Sequence, residues 1–323
     1  MSSEACSLAG SRTIKTLIIA PHLAYGTCTT NEFYGHATIL RRYVGVFDHR
    51  LPLLGRLQHG WQPGPGILVD EFSKKATSLI WSARNKEMAT SMGLPAISIG
   101  SPVFYLDKQP PCPNPKGIIA APQHSTAIVS LEEEMVFWGH YCKWLLDFAR
   151  THGLSPITMC LHANEYERKN ICSQIEGYGI EVTWAGHVFN NAGFLPALLA
   201  RFSHYEVVTS NIMSTAIVYG SLSGARVIVG GPIPVVKFSS DFSESDFDYT
   251  TAATKRSWIE ENFPEFVSDS MDISKQRKTA LFELGEEFVY TKTELWKVIQ
   301  LTVPDHGWVT ALHNLTRPEV ITS

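Results

Sequence analysis

The chain has 323 residues, 44% of them hydrophobic and 18% charged, with a net charge of −4. That is enough for one large α/β domain or two ordinary ones, and so balanced a charge argues against a nucleic-acid footprint or a polybasic membrane patch. No apolar run approaches the roughly 20 residues that span a bilayer, and the first dozen residues lack an apolar signal-peptide core. A cytoplasmic protein is expected, with peripheral attachment to the inner face of a membrane left open. The cysteines (Cys6, Cys28, Cys112, Cys142, Cys160 and Cys172) form no C-x-x-C pair. They read as small core fillers in a reducing compartment, and the clustered Cys or His spacing of a zinc site is missing from the sequence.

In chain order, Thr16–Ala20 ("TLIIA") reads as a short strand. "PLLGRLQHGW" places Gln58-His59-Gly60 after another apolar run. "ATSLIW" (76–81) and "AISIG" (96–100) are strand candidates, and the stretch between them reads as a helix closed by Gly93. The proline-rich "VFYLDKQPPCPNP" (103–115) is the expected linker, neither helix nor central strand.

After the linker the alternation is regular. Strands are predicted at 117–122, 157–161, 180–184, 206–209 and 226–229. Ser130 to Glu133 reads as a capping box opening a helix with apolar residues at 131, 135, 138, 141, 145 and 148, closed by Gly153. Further helices are predicted over about 165–176, 193–202 and 214–222, and beyond about 240 the pattern is mostly helical. Short apolar strands alternating with helices imply parallel sheets covered on both faces. Ligands then bind beyond the carboxyl ends of the strands.

Polar side chains recur at those ends: Gln123-His124-Ser125-Thr126, His162-Ala163-Asn164-Glu165, Ala185-Gly186-His187, and Ser210-Asn211 leading to Ser214-Thr215. Each alone has a plain structural explanation, and Ser214 with Thr215 read most simply as a helix cap. Together they suggest an anion site. A helix N-terminus offers unpaired N–H groups and partial positive charge, and Ser and Thr hydroxyls there can donate to phosphate oxygens. There is no G-x-x-x-x-G-K-[ST] and no G-x-G-x-x-G after a first strand, which argues against a P-loop or a dinucleotide-binding dehydrogenase. A diphosphate held with few cations suits a nucleotide sugar.

The "QHG" of the first half and the "SN-x-x-ST" turn of the second resemble GT-B-fold glycosyltransferases of bacterial surface-polysaccharide (capsule and lipopolysaccharide) biosynthesis. The resemblance is to the group of CDP-glycerol glycerophosphotransferases and polysialyltransferases. It departs from the sialyltransferase pattern in lacking a His-Pro pair in the second half; Pro122 precedes Gln123-His124 instead.

The resemblance implies two Rossmann-like domains whose parallel sheets face an interdomain cleft. Residues 1–112, joined by a C-terminal helix over about 300–323, would take the acceptor, and 113–299 the nucleotide sugar. It also implies His59 as general base, with Asp70 or Glu71 as the runner-up. The donor would be held by His124, Ser125, Gly186, His187, Ser210, Asn211, Ser214 and Thr215. The expected partners are a nucleotide-sugar donor and a glycan or lipid-linked glycan acceptor. No nucleic acid, metal or cofactor is expected. A nucleotide-sugar 2-epimerase, and a non-catalytic module that binds a sugar nucleotide or a glycan, are the alternatives.

Overall fold

The computed structural model describes residues 29–46, 53, 55–64, 77–108, 112–126, 129–188, 191–238, 254–267 and 272–301. The expected strand Thr16–Ala20, Asp70, Glu71, Cys6, Cys28 and the expected helix beyond residue 301 lie outside them. The described chain divides into two compact units. One holds the residues up to His59, those from 77 to Leu106, and those from Gly285 on; the other holds Gly60–Gly64 and Asp107–Leu284.

The first unit begins with α1 (His36–Tyr43), β1 (Arg56–Leu57), β2 (Ser78–Ile80), α2 (Ala83–Ser91) and β3 (Ala96–Ser98). Its three strands pair in chain order, all parallel. Such short strands are held to their neighbours by side chains as well. Asn31 does this at β1, donating to the Leu53 and Gly55 carbonyls at 2.9 and 2.7 Å and accepting from Leu57 N at 2.7 Å. Gln58 Oε1 accepts from Trp81 N at 2.9 Å and ties the ends of β1 and β2. Ser82 caps α2 through its hydroxyl, and Gly93 follows the helix with φ 71°, as its sequence signals predict. The front of the proline-rich segment is not linker: Pro102–Tyr105 is a 3-10 turn capped by Ser101. Proline at the first position of such a turn has no N–H to lose.

The second unit carries β4 (Ile118–Ala120), β5 (Val129–Leu131), α3 (Glu134–His152), β6 (Ile157–Leu161), α4 (Ala163–Tyr166), α5 (Lys169–Glu176), β7 (Glu181–Trp184), α6 (Phe194–Ser203), β8 (Val207–Ser210), α7 (Thr215–Leu222), β9 (Arg226–Val229), β10 (Val236–Phe238), α8 (Arg256–Asn262), α9 (Pro264–Val267) and α10 (Ile273–Leu284). Five of these strands form one parallel sheet in the order β7-β6-β4-β8-β9. Both units are therefore α/β with parallel sheets, as the alternation predicts.

The capping box is a correction. Ser130 lies in β5, paired antiparallel with β10, and its hydroxyl donates to the Lys237 carbonyl at 3.4 Å. The helix starts only at Glu134, after Glu133 at φ 44°. A partner strand more than a hundred residues away in the chain overrides the local signal. The buried face of α3 is accordingly turned: Phe137, Trp138, Tyr141, Cys142, Leu145 and Ala149 are buried, whereas Met135 is exposed.

Cys142 and Cys160 are buried, and burial pushes their thiols up to about 12 and about 11, as inert core cysteines require. At the edge of the sheet, Gln276 of α10 accepts from Val227 N and donates to Val227 O at 3.0 and 2.8 Å, so a side chain completes the ladder. The first unit receives the chain again at Gly285 and α11 (Lys292–Leu301). Gly285 has φ 71°, and a Cβ there would stand 2.0 Å from the Trp81 carbonyl oxygen.

Candidate functional site

Counted in chain order, the strands of the large sheet run 3-2-1-4-5. The winding reverses between β4 and β8, and the crevice outside the carboxyl ends of strands at such a reversal is where α/β sheets bind ligands. Two loops meet there. Asn211, fully buried, accepts from Gln123 N at 2.7 Å and donates to the Pro232 carbonyl at 3.1 Å. Its amide is thereby committed to holding the loop after β4 to the loop after β8. Ser210 is also fully buried, its hydroxyl accepting from Ile212 N at 3.4 Å.

Ser214 takes the extended backbone of an N-cap (φ −151°, ψ 172°), but its hydroxyl makes no bond to its own helix. That oxygen is out of solvent contact and has no hydrogen-bond partner among the described residues. Thr215 Oγ1 accepts from Trp61 N at 2.8 Å, and a Cβ at Gly60 would come within 3.0 Å of it. A glycine at 60 thus fits this approach. Neither hydroxyl behaves as an ordinary cap.

Beside them, His124 Nδ1 lies 2.7 Å from the Ser125 carbonyl oxygen. A carbonyl can only accept, so Nδ1 carries a proton, and in the neutral ring Nε2 has the lone pair. The His124 ring stacks on that of His162, with centroids 4.0 Å apart and 5° between planes. His162 caps α4, its Nδ1 accepting from Asn164 N at 3.3 Å. Burial, then the neighbouring His124 and His187, pull the His162 pKa down to about 3 and keep the ring neutral. Glu165 is fully buried, and its Oε1 accepts from both the N–H and the hydroxyl of Ser125, at 2.7 and 2.5 Å.

Gly186, at φ 100°, turns the chain after β7. Asn191 stabilises this turn, donating to the His187 carbonyl at 3.0 Å and accepting from Gly193 N at 3.1 Å. His187 is exposed, its ring edge-on to Trp184, which stacks on Tyr166.

In the first unit, His59 follows β1, with its ring 5.4 Å from that of Phe33. Burial and then the Arg56 charge lower its pKa, favouring the neutral form. His36 is a residue the sequence reading passed over. It is 1% exposed, packs against the rings of Tyr34 and Trp81, and among the described residues neither ring nitrogen has a partner within hydrogen-bond geometry. Burial and then the charge of His59 hold its pKa down to about 3, with the Gln58 backbone pulling the other way by less. The turn that delivers it is unusual: Tyr34 and Gly35 both have positive φ, 57° and 71°. His162 and Glu165 stood in the strand-end stretches but were not singled out, because a strand, a helix and a further strand separate them from His124.

No protein-family model and no curated protein matches the chain. Solved structures similar to it include the UDP-GlcNAc 2-epimerase from Neisseria meningitidis bound to UDP-GlcNAc (13% identity, TM-score 0.36, 69% of this chain and 61% of that one). Two others are S. aureus TarM in complex with fondaparinux, α-GlcNAc-glycerol and UDP (10%, 0.32, 76% and 44%) and the pneumococcal O-GlcNAc transferase GtfA in complex with UDP and GlcNAc (12%, 0.35, 73% and 45%). The chain thus spans between 44% and 61% of the length of these three proteins.

Proposed function

We propose that the second unit binds the diphosphate of a nucleotide sugar at the strand-order reversal. The protein then transfers the sugar, or a sugar-like group, to a hydroxyl of a surface-polysaccharide precursor. The observation that carries this reading is the Ser214 hydroxyl, which stands at a helix start at the reversal with no partner among the described residues. A turn about its χ1 gives a phosphate oxygen one hydroxyl donor beside the N–H groups at the start of α7. The Thr215 hydroxyl accepts from Trp61 N and still has its proton to donate. Asn211 serves the site by fixing the two loops rather than by touching the ligand.

In this reading His59, held neutral, is the base that takes the acceptor proton. Ser214, Thr215 and the α7 N-terminus stabilise the charge that builds on the leaving phosphate. Titration of the protein with CMP, CDP, UDP, GDP and dTDP, and with the sugar nucleotide of whichever binds, tests the donor. Product analysis with and without an acceptor then separates transfer from rearrangement of the donor sugar and from binding alone. Failure of all five nucleotides to bind would remove the proposal.

A further inference from the structure

We propose that His124, His162 and Glu165 form a binding site for a divalent first-row transition ion of the zinc type. One ligand atom from each lies within 4.8 Å of the others. His124 comes from the loop after β4, and His162 and Glu165 from the N-cap and body of α4, which follows the neighbouring strand β6. An independent observation points to the missing cation. Glu165 is fully buried, and while Oε1 takes both Ser125 donors, Oε2 has no hydrogen-bond partner among the described residues. His162 Nδ1 stands 3.9 Å from Oε2, beyond hydrogen-bond reach. A buried carboxylate oxygen without a partner is costly, and a metal ion would answer it.

The donor set decides the kind of ion. Two imidazoles and one carboxylate suit zinc and its neighbours better than magnesium or calcium, which prefer oxygen alone. Three protein ligands leave a fourth, open position for a water or an anionic oxygen. His124 is prepared for this, since its Nδ1–H is fixed on the Ser125 carbonyl and its Nε2 is bare. Ligands at about 2.0–2.1 Å around a tetrahedral ion lie roughly 3.4 Å apart, so binding draws the three atoms together. An imidazole lone pair lies in the ring plane, and two parallel stacked rings cannot both point at one ion. Binding therefore turns one ring out of the stack, and His162, whose Nδ1 lone pair accepts from Asn164 N, gives up that bond to offer a bare nitrogen.

This inference does not depend on the glycosyl-transfer reading, because the metal alone is the probe. Full-length protein stripped with chelator is titrated with Zn²⁺ by calorimetry and with Co²⁺ by visible absorption. One equivalent of each is expected to bind, with the d–d bands of a tetrahedral cobalt site. Glu165→Gln retains an oxygen to accept from Ser125 and so should keep the fold, checked by circular dichroism. It should weaken binding by more than the roughly 10- to 100-fold typical of outer-shell changes, and His124→Ala should do the same. Absence of stoichiometric uptake by the wild type overturns the proposal. So does unchanged affinity in folded Glu165→Gln and His124→Ala, which would place the ion elsewhere.

Discussion

Ser214 is the residue at which capping and ligand binding make opposite demands. A capping serine turns back on its own helix, and its loss costs typically about 1 kcal/mol of stability. Ser214 makes no such bond, so Ser214→Ala should change the unfolding free energy by less than about 0.5 kcal/mol. A hydrogen bond to a charged phosphate is worth about 1.5–3 kcal/mol, so donor affinity should fall roughly 10- to 100-fold. Denaturation and calorimetry on the same variant check both numbers. Thr215→Ala is a poorer test, because it also removes the acceptor for Trp61 N.

His59→Ala should lower turnover by about 10²- to 10⁴-fold while leaving the donor dissociation constant nearly unchanged; full activity in the variant rules out the base.

His36 makes a prediction about stability. Its folded pKa near 3 lies below the unfolded value of about 6.5. Below pH 6.5 the unfolded chain takes up a proton that the folded chain refuses. The stability is thus complete above that pH and is lost as the pH falls toward 3, by about 1.4 kcal/mol per unit once well below 6.5. Urea denaturation of wild type and His36→Gln between pH 7.5 and pH 4.5 should show a steeper decline for the wild type.

At the scale of elements, the site depends on how closely α7 lies on β8. A Cβ at Gly220 would stand 2.8 Å from the Val208 side chain. Gly220→Ala must therefore move the helix or the strand, at a cost of about 1–3 kcal/mol despite alanine's better helix propensity. Pairing it with Val208→Ala should restore part of the loss in a double-mutant cycle. Full additivity would mean that the two do not touch.

The same elements show where local signals were enough. The strands 157–161 and 226–229 and the helix starting after Ser82 fall where hydrophobic runs and capping residues place them. The Ser130–Glu133 box failed because β10 pairs with the same residues. The winning contact is nonlocal, and no window around residue 130 contains it.

For the whole molecule, the division into two units means that a donor held by the second should stabilise that unit in particular. Ligand at 100 times its dissociation constant adds about 2.7 kcal/mol. Scanning calorimetry that resolves two transitions should show one moving by several degrees and the other staying in place. A single transition that shifts would mean that the units unfold together, and no shift would mean that no donor binds.

The sequence by itself determined the α/β class, the parallel sheets and the rule that polar residues gather at strand ends. Those follow from periodicity and turn chemistry, which act over a few residues. Only the tertiary structure decided what each polar residue does. Asn211, expected among the donor-binding residues, is seen in the structure to bridge Gln123 and Pro232. Ser214 looked like a cap until its hydroxyl was found unpaired. His124, His162 and Glu165 are distant in the chain and adjacent in space because β4 and β6 are neighbours in the sheet. Strand order is set by which apolar faces pack together over the entire unit. The residues of the site carry no local mark of it.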